Sequence, residues 1–311
     1  MREGTSTPDQ VREGCAWVME RALSVGIEEA TVDAYAAALP RPADLPLPDP
    51  ATHFGEGDRE GRVAFVICLD AINFGSGWWP TIRKRPGHSG YFTVAAGVAD
   101  RFRAEGPWTA AELTAIDAGA IAAVLGQDPG HPLMADFAAS LRDVGARVLA
   151  DHGGSFAAVA DAAAGSAVAL AGLLAGWAAF ADVSLYGERE VPFFKRAQIA
   201  AADLDRAGVA SLPDLDRLTA FADNLVPHVL RVDGVLRLDP ALTAAIEAGE
   251  LLEHGSPPEV ELRAAAVHAV ELLAASNGRL VPAEVDAALW NRGRERRYKA
   301  LPRPRSRNTA Y

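Results

Sequence analysis

Cysteine is scarce in this 311-residue chain, with Cys15 and Cys68 the only two. Neither stands at metal-ligand spacing from another Cys or a His, so no zinc site is written into the sequence. Two isolated cysteines suit a reducing compartment. Excess positive charge is also missing. The formal net charge is −11 and the pI about 5.1, which argues against a nucleic-acid binder with its basic field. A nucleotide monomer needs only a few local cations, so that ligand class stays open. Long apolar runs are lacking as well. The most apolar stretch, 157–181, is Ala-rich and broken by Asp161, Gly165, Gly172 and Gly176, which marks buried helix rather than a membrane span. Met1-Arg2-Glu3-Gly4-Thr5 has no signal-peptide core, and the expected location is the cytoplasm. Dinucleotide fingerprints and nucleophile elbows do not occur. Gly153-Gly154 precedes Ser155 without the lysine of a phosphate loop.

What is present is a globular balance, 50% hydrophobic and 23% charged, with apolar residues mostly at helical spacing. Two helices are expected over 8–39. Prolines 40, 42, 46, 48 and 50 then make an extended connection to His53. Val63 to Leu69 reads as helix or strand, and its continuation into Asp70-Ala71-Ile72-Asn73-Phe74 favours helix. Thr109 and Glu112 form a capping box after Pro107. Further helices are expected near 132–150, 155–180, 192–207 and 213–222, and after Pro227, Pro240, Pro257 and Pro282. With no long linker and no repeat, the pattern predicts one mainly α domain over 1–311, with a small β-hairpin possible near 53–92. Within it, 1–50 holds the N-terminal helices and proline-rich connection, and 292–311 forms a basic C-terminal segment.

Polar islands interrupt the helical core in the last third. They are Phe194-Lys195-Arg196-Ala197-Gln198, Phe221-Ala222-Asp223, Glu259-Val260-Glu261-Leu262-Arg263 and Asp286-Ala287-Ala288-Leu289-Trp290. Carboxylates and a lysine at core-facing positions are costly unless paired, so one shared pocket is the natural use for them. Glu259 and Arg263 stand four residues apart, the spacing of a helix-stabilising pair, and are read as scaffold. Lys195-Arg196 is either an anion site or a solvated pair. Asp70 and Asn73 lie one helical turn apart and either bind a ligand or link helices; Asp70 is read as structural. Asp223 is a site carboxylate or a cap for the helix at Pro227. Asp286 is a site carboxylate or a complement to its helix dipole. His53 is a ligand contact or a satisfied structural histidine.

These islands, together with Asp70-x-x-Asn73-Phe74, Gly90-Tyr91, Gly153-Gly154-Ser155-Phe156, Asp203-Leu204, Val226-Pro227 and a closing Tyr311, resemble the queuosine salvage family in order from about His53 to Tyr311. The resemblance implies a helical fold similar to helix-hairpin-helix DNA glycosylases. It also implies a cofactor-independent N-glycosylase that cleaves queuosine 5′-monophosphate and releases queuine, a 7-deazaguanine base reused in tRNA. Asn224, Ala287-Ala288 and Ala310 depart from the bulkier residues usual in that family.

Glycosidic cleavage builds positive charge on ribose, and a positioned carboxylate stabilises or traps it. A 7-deazaguanine lacks the ring nitrogen that purine hydrolases commonly protonate, so the sugar-side carboxylate should matter more. With the resemblance, Asp286 is expected at the ribose carbon, and Asp223, Phe221 and His53 at the base. The two aspartates are open to exchange. Lys195 is expected at the phosphate, with Asn73, Trp290, Arg305 and Tyr311 completing the binding site. The matches at Arg305, Arg307 and Tyr311 imply that part of the basic tail folds back. The expected partner is a small nucleotide, with no membrane and no stable nucleic-acid complex. Two other readings stand beside this one: a base-excision enzyme resembling DNA glycosylases, and a non-catalytic protein that binds a deazapurine or tRNA.

Overall fold

The computed structural model describes residues 5–40 and 49–311. Met1 to Gly4, and Pro42, Pro46 and Pro48 of the connection, lie outside the described residues. The fold is mainly α, with fifteen α-helices and two two-stranded antiparallel pairs among the described residues. The long helix Pro257–Asn277 lies at the centre. It packs against Thr7–Met19, Glu29–Ala37, Leu225–Val232 and Pro282–Arg292. Lys195–Arg206 packs against Arg59–Ala71 and Ala167–Ala175. Buried apolar side chains from Val11 to Tyr298 form one connected cluster. Cys15 and Cys68 lie free inside it, and burial pushes both thiols up.

The hairpin is not near 53–92. Those residues hold the helix Arg59–Ala71, a 3-10 turn at Ser76–Trp78 and the start of Gly90–Glu105. Asp58 caps the first of these by accepting from Gly61 N, and Val63 to Ala71 are buried on every side, which hides any period. The hairpin instead pairs Val183–Tyr186 with Arg189–Pro192. Gly187, at φ +60°, opens its two-residue loop in the left-handed region. A second pair joins Val25–Ile27 to Leu236–Leu238.

Two expected helices are corrected. Residues 155–180 are not one helix. They break into Phe156–Ala162, Ala167–Ala175 and a 3-10 turn, with 119° between the first two. No single described helix is long and apolar enough to cross a membrane. Residues 213–222 hold only a 3-10 turn at Leu215–Arg217. The reason is visible in the backbone hydrogen bonds. Thr219 N donates to Gln198 Oε1 and Phe221 N donates to Asp286 Oδ1, so side chains take the N–H groups a helix would need.

Buried charge in the central helix links distant segments. Arg263 does not hydrogen-bond Glu259. It makes a bidentate pair with Asp182 at 2.9 and 2.7 Å, donates to Ala222 O, and lies between the rings of Phe193 and Tyr311. Glu259 accepts from the Tyr311 hydroxyl and Gly255 N. Glu261 accepts from the N–H groups of Leu23, Ser24 and Val25 and from the Tyr186 hydroxyl. The island is scaffold, through tertiary partners rather than its own spacing. Arg196 is not solvated either: it is buried and donates to the carbonyls of Ala310 and Ala71.

The C-terminal tail threads back through this frame. Asn224 Nδ2 donates to Pro304 O, Arg231 to Pro302 O, Leu252 N to Arg305 O, and Gly75 N to Tyr311 O. A Cβ at Gly77 would stand 2.3 Å from Ser306 O, so only glycine admits the tail there.

Candidate active site

A cleft of roughly 1400 Å³ opens between the Arg59–Ala71, Gly90–Glu105, Lys195–Arg206 and Pro282–Arg292 helices and the returning tail. It brings together every site residue singled out from the sequence. His53, Asn73, Lys195, Phe221, Asp223, Asp286, Trp290, Arg305 and Tyr311 all line it. Asp70, Tyr91, Asp203, Arg206 and Arg303 line it as well. A separate crevice beside Leu252 and Arg305 has about 10 Å³, room for one water at most.

Asp286 and Asp223 reach the cleft from different elements. Asp286 lies in the Pro282–Arg292 helix and is buried. Its Oδ1 accepts from Phe221 N at 3.0 Å, which ties the Phe221-Ala222-Asp223 segment to that helix. Burial, then the charge of Asp223, pushes the Asp286 carboxyl well above the usual range; the Phe221 N–H, Lys195 and Arg206 oppose this. Asp223 does cap the Leu225–Val232 helix. Its Oδ1 accepts from Leu225 N at 2.8 Å and Val226 N at 3.0 Å. The two carboxyls therefore share one cleft and repel each other.

Lys195 is the first residue of its helix. The turn before it is set by Asp182, whose carbonyl accepts from Phe193 N and Phe194 N and whose Oδ2 accepts from Lys195 N. Phe194 takes φ +48°, a left-handed conformation that non-glycine residues adopt at a cost of about 1–2 kcal/mol. Lys195 is thereby aimed inward, and its Nζ donates to Asn73 O at 2.8 Å. Burial lowers its pKa to about 8, against the pull of Asp223, Asp70 and Asp182. Its charged neighbours are these three carboxylates and Arg196, whose charge adds to the lowering.

Asp70 and Asp203 are a second pair of interacting carboxyls on the cleft wall. Asp70 is 1% exposed, and its Oδ2 has no hydrogen-bond partner. Burial, then the charge of Asp203, pushes its carboxyl well above the usual range, against Asn73, Lys195 and Arg206. Burial raises Asp203 too, against Arg206 and His53. Arg206 pairs with Asp203 Oδ1. His53 Nδ1 lies 3.1 Å from Thr52 Oγ1 and 3.2 Å from Asp49 O, which orients the ring at the cleft wall.

Aromatic rings and arginines close the cleft. Trp290 meets Tyr91 and Phe92 edge-on at 5.8 and 5.9 Å, and Arg294 lies over Phe92 and Trp290. Arg303 and Arg305 come from the tail. Burial and the charge of Arg305 lower Arg303, while Asp223 opposes them. The Tyr311 hydroxyl is committed to Glu259 at 2.6 Å, so this residue acts at the wall of the cleft.

Residues 52–311 match the family described as queuosine salvage protein. The chain belongs to this family. It is 34% identical over 308 residues to the queuosine 5′-phosphate N-glycosylase/hydrolase of Sphaerobacter thermophilus, covering 94% of this chain and 95% of that protein. It is 30% identical over 233 residues to the Bos taurus protein of the same name, covering 70% and 68%. For the Dictyostelium discoideum protein of that name the identity is 28% over 257 residues, covering 79% and 77%.

Within this queuosine salvage chain, the sequence reading missed the cleft roles of Asp203, Tyr91, Arg206 and Arg303, and it took Asp70 as structural. For the two carboxylates a local signal existed: Asp70 and Asp203 each stand in the last turn of a helix, where a carboxylate faces the negative end of its own helix dipole. Among the family departures, Ala287 lines the cleft, and Asn224 holds the tail through Pro304.

Proposed function

We propose that this chain hydrolyses the N-glycosidic bond of queuosine 5′-monophosphate and releases queuine. The observation that carries the reading is the Asp223–Asp286 pair, two carboxyls facing one cleft with different environments. Asp223, steadied by two backbone N–H groups, is the fixed negative charge for the ribosyl cation that forms at C1′. Asp286 is the proton carrier, since burial and Asp223 both favour its acid form. It protonates the departing base as the C1′–N bond breaks. As a carboxylate it then takes a proton from the water that adds to C1′. Water is the only co-reactant, and Asp286 ends each cycle protonated. This exchanges the roles expected from the sequence for the two aspartates.

Phe221 and the Trp290 wall stack on the base, and His53 hydrogen-bonds its edge. Arg303 and Arg305 receive the 5′-phosphate in place of Lys195, because two mutually repelling guanidiniums favour an anion between them. Lys195 balances the carboxylates on either side of it. The substrate is a nucleotide monomer met in the cytoplasm, not a tRNA chain. Incubation with queuosine 5′-monophosphate, followed by mass spectrometry, should yield free queuine and ribose 5-phosphate. No queuine at stoichiometric enzyme would overturn the reading.

A further inference from the structure

We infer that Asp70 and Asp203 form a cation subsite at one end of the cleft, and that it binds the protonated secondary amine on the 7-substituent of the base. The inference rests on the substrate class proposed above and adds what makes the site selective within it. Queuine differs from a plain 7-deazaguanine by an aminomethyl arm ending in a cyclopentenediol, and that amine is cationic at neutral pH.

The strongest observation is an unmet demand. Asp70 is 1% exposed and lines the cleft, and its Oδ2 has no partner. Its other oxygen accepts from Asn73 Nδ2 at 3.4 Å, and the unmet Oδ2 is a cost to the fold that a ligand can offset. The scaffold of the same protein leaves no such gap at Asp182, Glu259 or Glu261, each of which has hydrogen-bond partners on both oxygens. Asp70 is thus unlike the buried acids that serve stability.

The surroundings select a cation. Asp70 is in the last turn of Arg59–Ala71, and Asp203 stands on the antiparallel helix Lys195–Arg206, close enough for its charge to raise the Asp70 carboxyl, so two carboxyls share this end of the cleft. Among the described residues, none of the protein cations nearby reaches Asp70 Oδ2. Lys195 Nζ donates to Asn73 O, and among its charged neighbours Asp223 pulls on it most. Arg206 meets Asp203 from the solvent side, with its side chain 43% exposed. A ligand ammonium entering here would meet Asp70 Oδ2 without displacing any protein hydrogen bond. Tyr91, whose hydroxyl proton is held by burial and by the charges of Asp203 and Asp70, adds a donor for the diol beyond.

Calorimetric binding of queuine and of 7-deazaguanine tests this without requiring turnover. The native protein should bind queuine at least tenfold tighter. Asp203→Asn and Asp70→Asn should each remove most of that preference while keeping the native affinity for 7-deazaguanine, which also shows that the variants are folded. Equal affinity of the native protein for the two bases, or variants that weaken both bases equally, would overturn the subsite. Failure to bind either base would overturn it as well. Retained queuine preference with no hydrolysis would sink the enzymatic reading and leave the subsite standing.

Discussion

Asp182 and Asp286 are both nearly buried, at 2% and 5% exposure, yet their surroundings are opposite. Asp182 accepts two hydrogen bonds from Arg263 and one from Lys195 N. Asp286 accepts one from Phe221 N and faces another carboxylate. The contrast extends around each. The centre of the molecule, built on Arg263, Glu259, Glu261, Gln198 and Thr219, satisfies its buried polar groups from segments far apart in sequence. The cleft holds Asp70, Asp203, Asp223 and Asp286, and there Asp70 Oδ2 has no partner and Asp286 accepts a single hydrogen bond. Where every lone pair is met, charge serves specificity of the fold. Where it is not, the fold carries a cost that a ligand can offset.

The sharpest break in this comparison is Arg263→Met. It leaves Asp182 charged, buried and unpaired, and should cost about 3–5 kcal/mol, read from the urea midpoint. A loss below about 1 kcal/mol would move Asp182 into the company of the cleft acids. Asp223→Asn comes next. It should lower kcat about a thousandfold, some 4 kcal/mol in barrier, with thermal stability almost unchanged because an amide oxygen still caps the Leu225–Val232 helix. A comparable fall in stability would make Asp223 scaffold.

The smallest effect is also the most telling in sign. The folded pKa of Asp286 is raised, so its favourable contribution is complete below the ordinary carboxylate range and is lost as the pH rises through the raised value. Asp286→Asn stays neutral throughout. The variant should therefore melt higher than the parent at pH 8, by about 1–3 °C, and the gap should close toward pH 4 while turnover is lost. A variant less stable than the parent at pH 8 would place Asp286 with Asp182 instead.

Local signals were readable in the chain. The Thr109–Glu112 capping box forms as its spacing predicts, and the Val63 to Leu69 run is helical. The polar islands of the last third marked cleft and scaffold before any contact was known. The expected helix at 213–222 failed because Gln198 and Asp286, distant in sequence, take its N–H groups. Asp182 carried no sign of its importance, since its partner Arg263 is 81 residues away.

The sequence by itself determined the helical class, most helix starts and the residue types available for a site, because caps, prolines and apolar spacing act within a few residues. Only the tertiary structure decided which buried charges are paired and which face the cleft. That choice separates Asp182 from Asp286 and turns Asp70 from an assumed brace into an acid with one oxygen unmet. It depends on desolvation and on partners brought together across the whole chain, and neither quantity is a property of local sequence.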